Sequence, residues 1–251
     1  MDYSVLIALW GLYKKADKKQ LKLLIYTFLL LQVMKENKRI SPQFSSYTKE
    51  EARQQQEYKA YKVEKMLKEQ YSKLEEIIET SVIESYYEAY KILQKELGLE
   101  GSLDYNTVKN LVNETWVGSK NFKQRLQWNL RQIYSKYQEL LKEGADMWEF
   151  KKLQENYYYR LRRLLDTETH RDINQACLKI YNQKNIEFVK WIAHDDERTC
   201  PVCLGYDQRI FPIQDAPFCP DHPFCRCLLI PSSKEEYSKW ILTNMDLQKN
   251  K

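Results

Sequence analysis

Five of the six cysteines and one of the three histidines of this chain fall within a stretch of 28 residues. The members of this cluster are Cys200, Cys203, Cys219, His222, Cys225 and Cys227. Two pairs, Cys200-Pro-Val-Cys203 and His222-Pro-Phe-Cys225, have the spacing at which a tight turn directs two side chains at one metal ion. The cluster therefore constrains this part of the chain to a small module built around a metal ion or disulfides.

The start of the sequence favours the metal over disulfides. Met1 is followed by Asp2, and no basic residues precede the apolar run 5–12, so a secretory leader is not predicted. The apolar run 23–34 has about a dozen residues, short of the ~20 that span a bilayer, and is interpreted as a buried helix. Stable disulfides are rare in intracellular proteins, so the cluster predicts a structural zinc site. Disulfides and unligated or redox-active thiols are the alternatives.

The ligand set is not unique, because six candidates compete for four places. Cys200 and Cys203 form the firmest pair, and His222 with Cys225 can supply the second. Cys227 competes for the fourth place, since a strand over 226–230 would put it on the same face as Cys225. Cys219 is the expected spare. Four thiolate or imidazole ligands leave no position for a reacting water molecule, so the site is predicted to be non-catalytic.

Common catalytic templates are absent from the sequence. There is no His-Glu-x-x-His, no Gly-rich phosphate loop, and no His-x-Glu with Pro-Cys-x-x-Cys of the zinc deaminases. A thioredoxin-like role for Cys200 and Cys203 would need a βαβ setting without further ligands nearby. The acidic run 194–197 is interpreted as a solvated turn after a strand. The sequence therefore predicts a protein that is not an enzyme.

The rest of the chain has the periodicity of helices, and only six of its 251 residues are glycine. Apolar stripes predict helices over 48–97, 104–116, 121–143, from 146 onward and over 169–183, with capping boxes at Thr48/Glu51 and Asp146/Glu149. Cys177 lies on an apolar stripe and is interpreted as a core residue. Alternation from Ile186 predicts a strand, and 208–213 and 226–230 are further strand candidates. With a hairpin between the two cysteine turns, the module resembles a zinc ribbon in outline.

The predicted fold class is therefore mainly α, a multi-helix body with a small C-terminal zinc-stabilised antiparallel β module. The predicted divisions are an N-terminal helical segment over 1–47, a helical body with a long amphipathic helix over 48–185, the zinc-binding module over 186–231, and a C-terminal tail over 232–251.

Basic residues are concentrated before the module. Between Lys120 and Arg171 the sequence has twelve Lys or Arg against seven Asp or Glu, an excess of +5, whereas 194–231 has an excess of −3. The run 157–163 combines tyrosines with Arg160, Arg162 and Arg163, which could stack on bases and bind phosphates. The alternative is an ordinary solvated helix face. DNA binding through Lys120 to Arg171 is thus the competing functional hypothesis.

The string around the cysteines resembles a known family. The matching residues are Trp191-x-x-x-Asp195-x-x-x-Thr199-Cys200-x-x-Cys203, then Asp207 to Phe211, then His222-Pro223-Phe224-Cys225-Arg226-Cys227 ending near Pro231. Upstream they are Trp116-Val117-Gly118, Asn121-Phe122 with Arg125, Gly144, Arg160-Leu161 and Thr167-Glu168-Thr169. In order and spacing these are similar to the head-morphogenesis or minor head proteins of tailed bacteriophages, over roughly residues 70–231.

The resemblance implies a minor head protein of the virion, present in few copies in the head interior or portal region, and in the host cytoplasm during assembly. It implies phage portal and capsid proteins as partners, with packaged DNA as a further contact and no membrane. It also implies that Thr167-Glu168-Thr169 support the packing of the module. Two departures stand out: Asp207-Gln208 replaces an Asp-Gly turn, which predicts a differently shaped hairpin, and Asp166 stands where relatives often have arginine.

Overall fold

The computed structural model describes residues 49–249, with single-residue gaps at 102, 117, 144 and 195. The predictions for residues 1–47, which are an N-terminal helical segment with a buried helix over 23–34, lie outside the described residues. The same holds for Thr48 of the first predicted capping box. The division of the chain at 47, 185 and 231 stays a prediction.

Four helices precede the module. They are α1 Lys49–Glu96, α2 Tyr105–Val112, α3 Phe122–Lys142 and α4 Met147–Gln183. Asp104 begins α2 by accepting hydrogen bonds from the backbone N–H groups of Asn106 and Thr107 at 2.9 Å. The capping box of α4 is confirmed, because Asp146 Oδ1 accepts from the N–H of Glu149 at 3.0 Å while Glu149 Oε2 accepts from the N–H of Asp146 at 3.0 Å.

The predicted break between a helix from 146 and a second helix over 169–183 is wrong, because α4 runs through without interruption. The predicted break falls at the polar run 166–169, between the apolar stripes of the two predicted helices. No glycine or proline occurs in it, and its side chains are buried rather than solvated. Because α4 buries polar side chains at 166–169, its apolar stripe is interrupted there, and the helix prediction depended on a continuous stripe.

The described residues form two compact units. One comprises 49–80 with Lys123–Arg162, and its core contains the apolar stripes of α3 and the first half of α4. Tyr137 and Phe150 pack with ring centroids 5.5 Å apart. Gln127 Nε2 donates to Glu75 Oε1 at 2.9 Å, and Lys123 Nζ lies 3.4 Å from Glu79 Oε2, so polar contacts tie α1 to α3 within this unit.

The other unit comprises Ser81–Phe122 with the chain from Arg163 onward, and it contains the whole cysteine-rich region. Its buried core combines the last third of α1, α2, the second half of α4 and a three-stranded sheet. The core side chains are Val82, Ile83, Tyr86, Leu93, Val108, Val112, Ile173, Ala176, Cys177, Ile180, Tyr181, Val189 and Trp191. The mainly helical fold class with a small antiparallel module near the C-terminal end is confirmed.

The sheet is formed by β1 Phe188–Ile192, β2 Ile210–Pro212 and β3 Leu228–Ser232 in the order β2-β1-β3. Both pairings are antiparallel, with Lys190 opposite Ile210 on one side and Ile230 on the other. The hairpin predicted between the two cysteine turns is therefore absent, because β2 pairs with the strand that precedes the first turn. A six-residue helix, α5 Pro201–Tyr206, lies within the module, and α6 Lys234–Lys249 follows it in the region predicted as the C-terminal tail.

The turn that leads into β2 contains a residue in the left-handed region. Gln208 has φ 61°, and its N–H donates to the carbonyl of Trp191 at 2.9 Å. The backbone at Gln208 therefore has the conformation that a glycine adopts most easily.

We expect Gln208→Gly to raise the free energy of unfolding by about 0.5 kcal/mol. The left-handed conformation costs a side-chain-bearing residue ~1–2 kcal/mol, and the extra freedom of glycine in the unfolded chain cancels ~0.5–1 kcal/mol of the gain. Denaturant titration of both proteins measures the difference. Gln214→Gly, at an exposed position outside the left-handed region, serves as the control and is expected to be destabilising. A loss of stability in Gln208→Gly as large as in the control contradicts the expectation.

Candidate metal centre

The first turn of the centre lies at the start of α5. Cys200 is the N-cap residue, with Pro201 in the first helical position, and its Sγ accepts a hydrogen bond from the N–H of Cys203 at 3.3 Å. The carbonyl of Cys200 accepts from the N–H of Leu204 at 3.0 Å. These bonds fold Cys200-x-x-Cys203 so that both sulfurs lie on the same side of the turn.

The second turn has the same spacing and ends at Cys225. The N–H of Cys225 donates to the carbonyl of His222 at 3.1 Å, and Phe224 makes this reversal possible by adopting φ 63°. The N–H of Phe224 donates to Thr167 Oγ1 of α4 at 3.3 Å. His222 Nδ1 lies 2.8 Å from the carbonyl oxygen of Pro223, so Nδ1 carries the proton and donates it. The lone pair of Nε2 is therefore available to a metal, the arrangement that orients histidine ligands in many metal sites.

The two turns bring five candidate donors together in two overlapping triads. Cys200, Cys203 and His222 form one, and Cys203, Cys225 and Cys227 form the other; within each, the donor atoms lie within 4.8 Å of one another. His222 Nε2 is 3.1 Å from the sulfurs of both Cys200 and Cys203, and the sulfurs of Cys203 and Cys225 are 3.7 Å apart. Tetrahedral zinc with its usual bond lengths would set these separations at about 3.5 Å for N···S and about 3.8 Å for S···S. These three separations lie within a few tenths of an ångström of those values. Neither Cys225 nor Cys227 lies within 4.8 Å of all three donors of the first triad, so a single ion would draw the two triads together around Cys203.

The two remaining cysteines lie outside both triads. Cys219 is buried, and its thiol donates to the carbonyl of Cys227 at 3.1 Å. Cys177 is fully buried on α4, and burial raises the pKa of its thiol to about 12. Its interpretation as a core residue is confirmed.

A charge pair joins the loop before the first turn to the residue between Cys225 and Cys227. Asp196 Oδ2 accepts from Arg226 Nη1 at 2.6 Å, and Asp196 Oδ1 accepts from Nη2 of the same guanidinium. Arg226 is buried, and its hydrogen bonds hold the pKa of Asp196 well below the usual range. A turn begins at Asp196, where the N–H of Thr199 donates to the Asp196 carbonyl at 3.0 Å. The Asp196 carboxylate, however, is paired with Arg226 and is not a solvated group of the kind predicted.

We expect Asp196→Asn to weaken metal binding by about 10–100-fold, the range found when a group that orients the ligands is removed. The neutral amide cannot form the two charge-assisted hydrogen bonds that hold Arg226, and with it the flanking cysteines, against the first turn. Competition with a chromogenic chelator measures the affinity. Glu197→Gln, one residue away at an exposed position, is the matched control. Equal affinities for the two variants would contradict this role of Asp196.

Helix α4 supports the second turn and β3 through buried polar side chains. Asn174 Nδ2 donates to the carbonyl of Cys227 at 3.1 Å, and its Oδ1 accepts from the N–H of Leu229 at 3.0 Å. The hydroxyl of Tyr181 donates to the carbonyl of Leu229 at 3.0 Å. An unpaired buried backbone group is costly. At the edge of the sheet formed by β3, Asn174 and Tyr181 therefore provide hydrogen bonds of the kind that a neighbouring strand would provide.

A buried charge cluster lies on the same stretch of α4. The guanidinium of Arg171 lies 3.6 Å from Glu168 and 3.5 Å from Asp172, and donates to the carbonyl of Val112 at 2.9 Å. Glu168 accepts from the indole N–H of Trp116 at 3.1 Å. The ring of Trp116 stacks on Phe218 of the module at 5.1 Å, so the cluster connects α4 and the end of α2 to the module.

The sequence anticipated part of this support. Thr167 contacts the second turn, and Glu168 reaches the module through Trp116, as expected for the Thr167-Glu168-Thr169 run. Arg171, Asn174 and Tyr181 were not predicted as residues that support the module. Their spacing is the same whether a polar side chain contacts a distant strand or is exposed to solvent.

Fold and site together define a mainly helical protein with a small module in which two turns present a closed set of thiol and imidazole donors. The family described as Phage Mu protein F like protein matches residues 129–230. The match covers the second half of α3, all of α4 and nearly all of the module, and it confirms the resemblance to the phage head-morphogenesis family. Neither the curated proteins nor the solved structures yield a match. In the part of the chain that the structure describes, no helix has the length and apolar character needed to cross a membrane.

Proposed function

We propose that the protein is a structural minor head protein of a tailed phage. It acts in head morphogenesis near the portal and the capsid interior, is a component of the virion, and has no enzymatic activity. The observation that carries the proposal is the family match over residues 129–230, which includes the donor cluster and the helix that supports it. A closed donor set on a helical scaffold suits a protein whose function is to hold a shape and bind other head proteins.

The metal of this proposal is a structural zinc ion. Cys200, Cys203, His222 and either Cys225 or Cys227 would hold it, since thiolate and imidazole ligands suit zinc and Cys203 belongs to both triads that these donors form. The bound ion would supply free energy of folding to a module with strands of five, three and five residues. The chain itself contributes the two turns, the Asp196–Arg226 pair and the contacts of α4.

Removing the gene from the phage that carries it tests the proposed role. Lysates of the deletion phage are expected to contain aberrant or empty heads in electron micrographs, and supplying the protein from a plasmid is expected to restore normal ones. Mass spectrometry of purified wild-type virions is expected to detect the protein in few copies. Normal infectious particles from the deletion phage, together with absence of the protein from wild-type virions, would overturn the proposal.

DNA contact through Lys120 to Arg171 is the second candidate. The excess of +5 in this segment favours it, as does the pairing of Arg160 with the ring of Tyr157 at 5.2 Å beside the exposed Tyr159. Other basic residues of the segment are engaged within the protein: Lys123 with Glu79, and Arg171 with the buried cluster. The affinity for a DNA duplex at several salt concentrations separates the two candidates. A steep fall of affinity with salt supports DNA contact, and no binding at ~50 mM salt removes it.

A further inference from the structure

We propose that Cys225 is the fourth ligand of a single metal ion, and that Cys227 is a reserve ligand that takes its place when the Cys225 sulfur is lost. The inference rests on the metal site of the proposed function and resolves the choice between these two cysteines. It assigns Cys225 and Cys227 different roles, although both are buried and both belong to the triad of Cys203, Cys225 and Cys227.

Cys225 is the first choice because it closes the second turn beside Cys203. Its N–H donates to the carbonyl of His222 at 3.1 Å in a turn that Phe224 permits with φ 63°, whereas the first turn is a helix start in which the N–H of Cys203 donates to Cys200 Sγ. The 3.7 Å between the sulfurs of Cys203 and Cys225 is the separation expected along one edge of a zinc tetrahedron. Cys225 lies outside the triad of Cys200, Cys203 and His222, so one ion bound by all four would draw its sulfur towards that triad.

Cys227 lies close enough to replace it. Its sulfur is within 4.8 Å of those of Cys203 and Cys225, so a ligand exchange pivots about Cys203, which belongs to both triads. The backbone of Cys227 is anchored, because its carbonyl accepts from Asn174 Nδ2 and from the thiol of Cys219. The exchange therefore requires a change in the direction of the side chain and no movement of the strand.

The exchange also conserves charge. A zinc ion with three thiolates and one neutral imidazole has a net charge of −1, whichever cysteine provides the third thiolate. The cost of burying the site is then the same before and after the exchange. The described residues do not offer a second complete set of donors. Cys203 and Cys225, two of the three sulfurs in the second triad, bind the first ion in this assignment.

Cobalt(II) titration of the full-length chain tests the assignment. Cobalt replaces zinc in tetrahedral sites, and the intensity of its sulfur-to-metal charge-transfer band reports the number of thiolate ligands. We compare the wild-type protein with Cys225→Ala, Cys227→Ala, the double variant and Cys219→Ser. The last is the matched control, because it removes a buried thiol of the same module outside both triads and leaves a hydroxyl that can donate to the carbonyl of Cys227.

We expect one cobalt per chain and the same charge-transfer intensity for the wild-type protein, Cys227→Ala and Cys219→Ser. Cys225→Ala is expected to keep the stoichiometry and the intensity, with affinity lower by about 10–100-fold, the range for a disturbed ligand arrangement. The double variant is expected to lose about one third of the charge-transfer intensity or to bind no cobalt. Far-UV circular dichroism of each variant verifies that the helices are folded.

Three results would overturn the inference while leaving the metal site in place. They are loss of a thiolate band in Cys225→Ala alone, an equal weakening of binding in Cys227→Ala and Cys225→Ala, and two cobalt ions per wild-type chain. Failure of the wild-type protein to bind any cobalt or zinc rejects the metal site itself, and with it this inference. The role in the phage head is tested separately, by the deletion phage.

Discussion

Cys200→Ser is expected to unfold the module over residues 188–232 while the helices α1 to α4 remain. Removing one of four ligands opens the site, and apparent binding free energies of ~10–16 kcal/mol for structural zinc in small domains show how much stability depends on an intact ligand set. The helix α5 and the strand β2, which lie between β1 and β3, have only six and three residues, so the ligands hold most of this segment in place. Prolonged dialysis against a strong chelator is expected to have the same effect on the wild-type protein.

Hydrogen exchange followed by mass spectrometry measures the effect region by region. Peptides from the module are expected to lose protection, whereas peptides from the first half of α4 are expected to keep it. Cys219→Ser is the control, because it alters a buried thiol of the same module that neither triad includes. Equal protection of the module in Cys200→Ser and the wild-type protein would show that the fold does not depend on a metal.

Arg171→Ala is expected to lower the free energy of unfolding by about 3–5 kcal/mol, the cost of breaking a buried charge pair from one side. The guanidinium is 3% exposed and lies between Glu168 and Asp172, whose carboxylates would be left buried without their cation. The carbonyls of Val112 and Leu111 would each lose the hydrogen bond from Arg171, although that of Leu111 would keep the N–H of Glu114 at 3.2 Å. For a chain of this length the melting temperature is expected to fall by about 10 °C.

Differential scanning calorimetry measures this shift. Arg131→Ala, which removes the same side chain from an exposed position on α3, is the control and is expected to change the stability by less than about 0.5 kcal/mol. Arg171→Lys is expected to lie between the two, because an ammonium keeps the charge but lacks the planar fork that serves two carbonyls and two carboxylates. A melting temperature of Arg171→Ala within 2 °C of the control would contradict the account of the cluster.

Much of the fold followed from periodicity. The stripes that predicted helices over 48–97 and 121–143 correspond to α1 and α3, and the alternation from Ile186 corresponds to β1. The prediction failed where the tertiary structure reverses the usual preference of a residue. In α4, Asp166, Glu168 and Asp172 are buried, so a rule that assigns polar residues to the surface placed a break inside a continuous helix.

The clustering of the donor side chains was predictable from the sequence, and their surroundings were not. Cysteine and histidine spacing is local, and it identified the five side chains that the structure gathers in two triads. The pairing of β2 with β1 and the contacts of Asn174 and Arg226 join residues that are distant in sequence. Such contacts depend on the tertiary structure, which the local spacing of residues does not determine.

The support that α4 gives to the module also determines the order in which its parts become available during synthesis. Asn174 and Tyr181 precede their partners Cys227 and Leu229 by about fifty residues, so a complete helical surface leaves the ribosome before the last donors do. The second turn then meets a surface that already holds its hydrogen-bonding partners. Capture of the ion is thus expected to be among the last events of folding, and a fragment that starts at residue 186 would have to bind metal without that surface.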